Sequence, residues 1–182
     1  MKSSDLIRWS GLAAVIAAAL FIVIQLITLT ILLFGQEPLL LLVRAVILPL
    51  GGALLVLGMT GLYARQAEAT HVLGLVGFLL ALIGTVLALS GNAWANLGAY
   101  LGWALFGVAS WEARVYPPSA AILLIFGAAT SAPFSTLVVG APSVFVYMSV
   151  GAHILFNVAI AWLGFALFSG RSVPAEQTRN EE

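Results

Sequence analysis

Apolar residues in this chain come in runs of about twenty, parted by short clusters of charged and turn-forming residues. A run of that length crosses a hydrocarbon core about 30 Å thick as one helix. The pattern predicts helices near 9–34, 39–64, 71–91, 94–111, 118–139 and 144–169. Gln36-Glu37-Pro38 ends the first run, and Pro38 suits the first turn of the next helix. Arg65 to Thr70, Gly91-Asn92, Glu112 to Pro118 and Gly140 to Ser143 part the others, with Ser143 as an N-cap. Without the break at Gly91-Asn92, residues 71–111 would form one helix of about 60 Å, longer than a bilayer crossing requires. The expected fold is therefore an all-α integral membrane bundle of six transmembrane helices, a single domain over residues 1–171. Residues 172–182 are polar, lack aromatics and read as a disordered tail.

Basic residues give the expected direction of threading, because they stay on the cytoplasmic side. With the amino terminus inside, Lys2, Arg8, Arg65, Arg114, Arg171 and Arg179 all fall there. Arg44 is the exception, near the outer end of the second span. Both termini are thus expected in the cytoplasm and the protein in the inner membrane. Trp9, Tyr63, Trp111 and Tyr116 then fall at the inner interface, where amphipathic rings are favoured. The first run follows Lys2 and Arg8 as a signal peptide would, and Ala17-Ala18-Ala19 resembles a cleavage site. The run continues for fifteen residues beyond it, so an uncleaved anchor helix is expected.

Composition agrees: 62% of residues are hydrophobic and 8% charged, against about 25% charged in soluble domains. The net charge is zero, so nucleic acid is not an expected partner. There is no cysteine, which removes disulfides and thiol nucleophiles. The one lysine is Lys2, so no Schiff-base lysine lies within the bilayer. No segment outside the spans exceeds about fifteen residues, too short for a soluble catalytic domain. The lipid bilayer is the first expected partner; a second protein or another copy of the chain comes next.

Small residues mark packing faces. Gly74, Gly77, Ala81, Gly84 and Ala88 share one face of the 71–91 span, and Ala95, Gly98 and Gly102 lie along the next. Small residues let backbones approach in lipid, where no water drives helices together, so a tight antiparallel pair is expected. Glycine stands seven residues before arginine at Gly58 and Arg65, Gly107 and Arg114, and Gly164 and Arg171. Helix-pair duplication and ordinary membrane rules both produce that pattern. Pro49 and Pro133 favour kinks inside spans.

Ser149, His153 and Asn157 recur every four residues on one helical face. His153 lies about 14 Å from the outer start of its helix. Gln25, Arg44, Asn92, Asn96, Ser131 and Ser135 also fall in the outer half. Two readings follow. Ser149, His153, Asn157, Arg44 and Gln25 line a wet ligand pocket open to the outer side, or they make interhelical hydrogen bonds of about 0.6–2 kcal/mol each. Arg44 either snorkels outward beside Glu37 or faces the pocket as an anion-binding group. No metal or other cofactor is expected, because His71 and His153 differ in depth by about 15 Å. No carboxylate lies within a span, which leaves a proton relay only His153.

Three resemblances arise at these residues. His153-Ile-Leu-Phe-Asn157 resembles the H-x-x-x-N motif of the membrane CAAX-type prenyl-protease superfamily, but that family's glutamate pair has no counterpart within the spans. Six-span rhomboid proteases are similar in placing a histidine in the last span; they need a G-x-S-G serine, and Ala88-Leu89-Ser90-Gly91 lacks the first glycine. The segments GLYARQAEATHVLGLVGFLLALIGTVLAL and GWALFGVASWEARVYPPSAAILLIFGA resemble uncharacterised multi-pass membrane proteins of bacteria, a resemblance that supports an inner-membrane bundle and supplies no activity. The expected function is a non-enzymatic accessory or binding protein acting through helix faces or the outer-side pocket. A small transporter for an apolar or anionic solute is the alternative, and an intramembrane hydrolase using Ser90 and His153 the third reading.

Overall fold

The computed structural model describes residues 3–34, 37–90, 92–137 and 143–170; the side chains at 3, 4, 32, 37–44, 93, 135–137 and 143 lie outside that description. Among these residues there are five helices and no strand: α1 (Ser3–Phe34), α2 (Glu37–Ala88), α3 (Ala93–Ala113), α4 (Pro118–Leu137) and α5 (Ser143–Ser169). Asp5–Ile31, Ala45–Ala88 and Val144–Ser169 are long and apolar enough to cross a membrane, and Pro118–Phe134 is a shorter apolar helix. Large apolar side chains such as Val72, Trp94 and Phe126 cover the outside, while Ala14, Ala18, Ala120, Ala128 and Ala159 are wholly buried. Large residues outside and small ones inside is the sorting of a bundle whose solvent is lipid.

Five helices stand where six were expected, because the second and third expected spans belong to one element. Arg65 to Thr70, expected as a loop, is helical. The reason is in its composition: Arg, Gln, Ala and Glu are strong helix formers, and no glycine or proline interrupts them. Thr70 also ties its hydroxyl to the Gln66 carbonyl at 3.0 Å. The break comes at His71, where φ is 47° and ψ −144°. The chain then turns back, so that Tyr63 stacks on Phe78 with centroids 4.4 Å apart and Gly52 meets the Leu89 side chain. The arms 37–70 and 72–88 are antiparallel. At the next break Asn92 caps α3, its side chain accepting from the N–H groups of Trp94 at 3.0 Å and Ala95 at 3.4 Å. Arg114 closes α3 in the left-handed conformation.

Each helix packs on its neighbour in sequence, and α5 packs on α1, so the bundle is a closed ring. Glycine permits the closest approaches. A Cβ at Gly77 would lie 2.6 Å from the Phe106 nitrogen; one at Gly84 would strike Ala99, and one at Gly102 would strike Ala81. The expected small-residue pair is therefore present and antiparallel, although Gly98 takes no part in it. Gly11 and Gly164 close the ring in the same way, each 2.7 Å by that measure from the other's carbonyl oxygen.

One end of the ring gathers the cations whose side chains are described, Arg8, Arg65 and Arg114. Arg8 donates to the Phe168 carbonyl at 3.3 Å and lies over that ring. Ser10 meets Gly61, and the Tyr116 hydroxyl donates to the Leu62 carbonyl at 2.8 Å. Arg8, Arg65 and the turn after Arg114 thus share the basic end. Lys2, Arg171, Arg179 and the expected tail at 172–182 lie outside the described residues.

Two outcomes are expected for unfolding in detergent. Gly102→Ile destabilises the fold by about 1–3 kcal/mol through overpacking against Ala81, while Gly98→Ile on the same helix has little effect; equal losses would contradict this packing. His71→Gly raises stability by about 1 kcal/mol, because glycine adopts positive φ without strain; a loss of that size would contradict a strained hinge.

Candidate functional site

A cavity of about 350 Å³ occupies the interior of the ring between α1, both arms of α2, α3 and α5. Leu48, Leu89 and Asn96 lie at its end away from the basic residues, and Trp103 and Phe156 at the opposite end. The rings there brace one another edge to face: Trp103 with Phe156 at 5.7 Å, Trp103 with Phe106 at 5.7 Å, and Tyr100 with Phe156 at 5.1 Å. Such pairs prefer this geometry and hold their positions without polar contacts. Beyond this floor, towards the basic end, Met59, Leu62, Phe106 and Tyr116 are buried and fill the ring. One half is hollow and the other plugged.

The structure brings three of the five expected site residues together. Gln25 from α1 and His153 and Asn157 from α5 all line the cavity. Ser149 does not line it; its carbonyl pairs with His153 Nδ1 at 2.7 Å, and its hydroxyl stands 3.4 Å from the same nitrogen. The Arg44 side chain lies outside the described residues, as does that of Ser135. Ser131 is fully buried, its hydroxyl has no hydrogen-bond partner among the described residues, and it lies outside the cavity lining.

The hydrogen bonds fix which atoms remain for a ligand. A carbonyl only accepts, so in the uncharged imidazole Nδ1 carries the proton and Nε2 keeps a lone pair. Asn157 donates one Nδ2 N–H to the His153 carbonyl at 2.7 Å, which leaves Oδ1 as an acceptor and the second N–H as a donor. The Tyr100 ring meets His153 edge to face, with centroids 5.5 Å apart, and holds the imidazole plane. Thr85, Asn96 and Tyr100 also line the cavity. Thr85 and Tyr100 carry no sequence signal, since a threonine and a tyrosine in an apolar run look like ordinary membrane residues. Asn96 is legible as an outer-half polar residue one turn after the α3 cap.

The plug contains polar groups that the hydrophobic pattern does not reveal. Tyr116, expected at the membrane interface, is fully buried, with its hydroxyl on Leu62. Burial pushes its phenol well above the usual tyrosine range, against a smaller opposing pull from Arg65. Gln66, expected in a loop, is also fully buried, with Oε1 2.6 Å from the Ser110 hydroxyl. Ser110 also reaches the Phe106 carbonyl at 2.7 Å. A hydroxyl has one proton, so both contacts are best satisfied when the amide is turned to donate to Ser110, an orientation that is assigned from the network. The far atom of the amide has no hydrogen-bond partner among the described residues.

This arrangement offers hydrogen-bonding groups to a ligand, and it does not bring Ser90, the expected nucleophile, to His153. Ser90 is exposed, gives its hydroxyl to the Leu87 carbonyl at 2.6 Å, and does not join His153 at the cavity. Compared with known proteins, the chain matches no family model, no curated protein and no solved structure.

Proposed function

We propose that the chain is an inner-membrane protein that crosses the bilayer six times and binds a small ligand in the outer half. The crossings are α1, the two arms of α2, α3, α4 and α5. The 21 residues of α3 and the 20 of α4 reach about 30 Å each, enough for the hydrocarbon core. Positive charge stays on the cytoplasmic side, so the end holding Arg8, Arg65 and Arg114 is the inner one, and both termini lie there. The cavity is then in the outer half and the plug in the inner half.

The observation that carries the binding reading is the convergence of Gln25, His153 and Asn157 from α1 and α5 on one cavity. Polar side chains in lipid are costly unless satisfied, and these leave hydrogen-bonding atoms unused inside the ring. A binding or accessory protein needs no more than this. Native mass spectrometry of the protein extracted from its own membrane tests it. The wild type carries a small bound species, and Ala88→Phe, which fills the cavity, loses it. Identical spectra for the two would contradict the proposal.

A second reading, a small transporter, is favoured by the position of the strained His71 hinge next to the plug. Opening there would connect the cavity to the inner side. Proteoliposomes distinguish the two: a binding protein gives no flux of the species it carries, whereas a transporter gives flux that Ala88→Phe abolishes.

A further inference from the structure

We infer that the cavity takes an uncharged, compact molecule with several hydrogen-bond donors along one edge and an apolar face, the chemistry shared by pyranose sugars and neutral nitrogen heterocycles. This inference rests on the binding reading above. The α5 wall supplies its first constraint. His153 Nδ1 is committed to the Ser149 carbonyl and one N–H of Asn157 Nδ2 to the His153 carbonyl. What that wall has left is two acceptors, His153 Nε2 and Asn157 Oδ1, and a single donor, the second N–H of Asn157 Nδ2. A ligand must bring donors to this wall, or the acceptors stay unpaired in a dry site at a penalty. A quinone or a hydrocarbon fails that condition.

The facing walls are less selective. Gln25 and Asn96 each present a whole amide, and among the described residues neither side chain has a hydrogen bond. They match either sense of hydrogen bond on the rest of the ligand. Charge supplies the second constraint. Among the described residues, none of those lining the cavity is charged, and no Asp or Glu lies in the sequence between Glu68 and Glu112 or between Glu112 and Glu176. An ammonium would satisfy the acceptors but find no carboxylate, and an ion at this depth without a counter-charge is expensive. Shape and size supply the third. Phe21, Trp103 and Phe156 offer an apolar surface at one side, and about 350 Å³ lies at the small end of ligand sites, about 300–1,000 Å³.

Thermal unfolding in lipid nanodiscs tests this, with glucose and galactose as one arm and adenosine and uridine as the other. Ethanolamine, glucose 6-phosphate and menadione are the cationic, anionic and acceptor-only probes. At least one uncharged donor-bearing probe is expected to raise the midpoint by about 5–10 °C when present at roughly a hundred times its Kd. The arm that responds identifies the source. Gln25→Leu, whose own midpoint without probe reports on its fold, weakens that probe about tenfold or more, and Ala88→Phe abolishes its effect. If only the charged or acceptor-only probes shift the midpoint, and Ala88→Phe abolishes that shift, the ligand class is wrong and the binding reading stands. If a probe shifts the midpoint equally in Ala88→Phe, both fall. No shift from any uncharged probe overturns the inference.

Discussion

Backbone contact between helices is the constraint on which this structure depends. In lipid an apolar side chain gains little by turning inward, so helices are held by close packing and a few polar bonds. Here the contact is made where side chains are smallest. Gly77, Gly84 and Gly102 bring the 72–88 arm of α2 against α3, and Gly11 and Gly164 bring α5 against α1. The second of these contacts turns a row of helices into a ring. A ring has an interior, and its contents decide what the protein can do.

That interior is sorted by depth. Towards the basic end, Met59, Leu62, Phe106 and Tyr116 are large enough to fill it, and Gln66 with Ser110 ties the α2 arm to α3. Towards the other end Ala88 and Ala99 stand among the lining residues, and the side chains no longer meet. The polar groups there spend part of their capacity on their own helix: His153 on Ser149, and Asn157 on His153. These local bonds orient the side chains and leave defined acceptors facing a space. Helix-internal bonding of this kind stiffens a site before any ligand arrives, which lowers the ordering cost of binding.

Much of the architecture is legible in the sequence because membrane helices obey a length rule and a packing rule. The runs of about twenty, the break at Gly91-Asn92 and the small-residue face of the 71–91 span all follow from them. The 65–70 segment reads differently because charge in an apolar chain is a loop signal, whereas Arg-Gln-Ala-Glu-Ala-Thr has every propensity to stay helical. That one difference hid Gln66, whose burial depends on the helix continuing. At the site, the four-residue spacing of Ser149, His153 and Asn157 placed them on one face, but spacing alone does not say which residue faces the interior. Ser149 accepts from His153 through its carbonyl and stays out of the cavity lining. Gln25 joins through the α1–α5 contact, a long-range pairing that helical periodicity does not carry. Tyr100 and Thr85 have no local signature.

In the proposed topology the ring is hollow on its outer side and plugged on its inner side. The chain has no cysteine, so single cysteines report without background. In intact cells or oriented vesicles, a membrane-impermeant maleimide should label Asn96→Cys from the outside, and should leave Ser110→Cys unlabelled from both sides. Labelling of Ser110→Cys from the outside, or of Asn96→Cys only from the inside, would contradict the account.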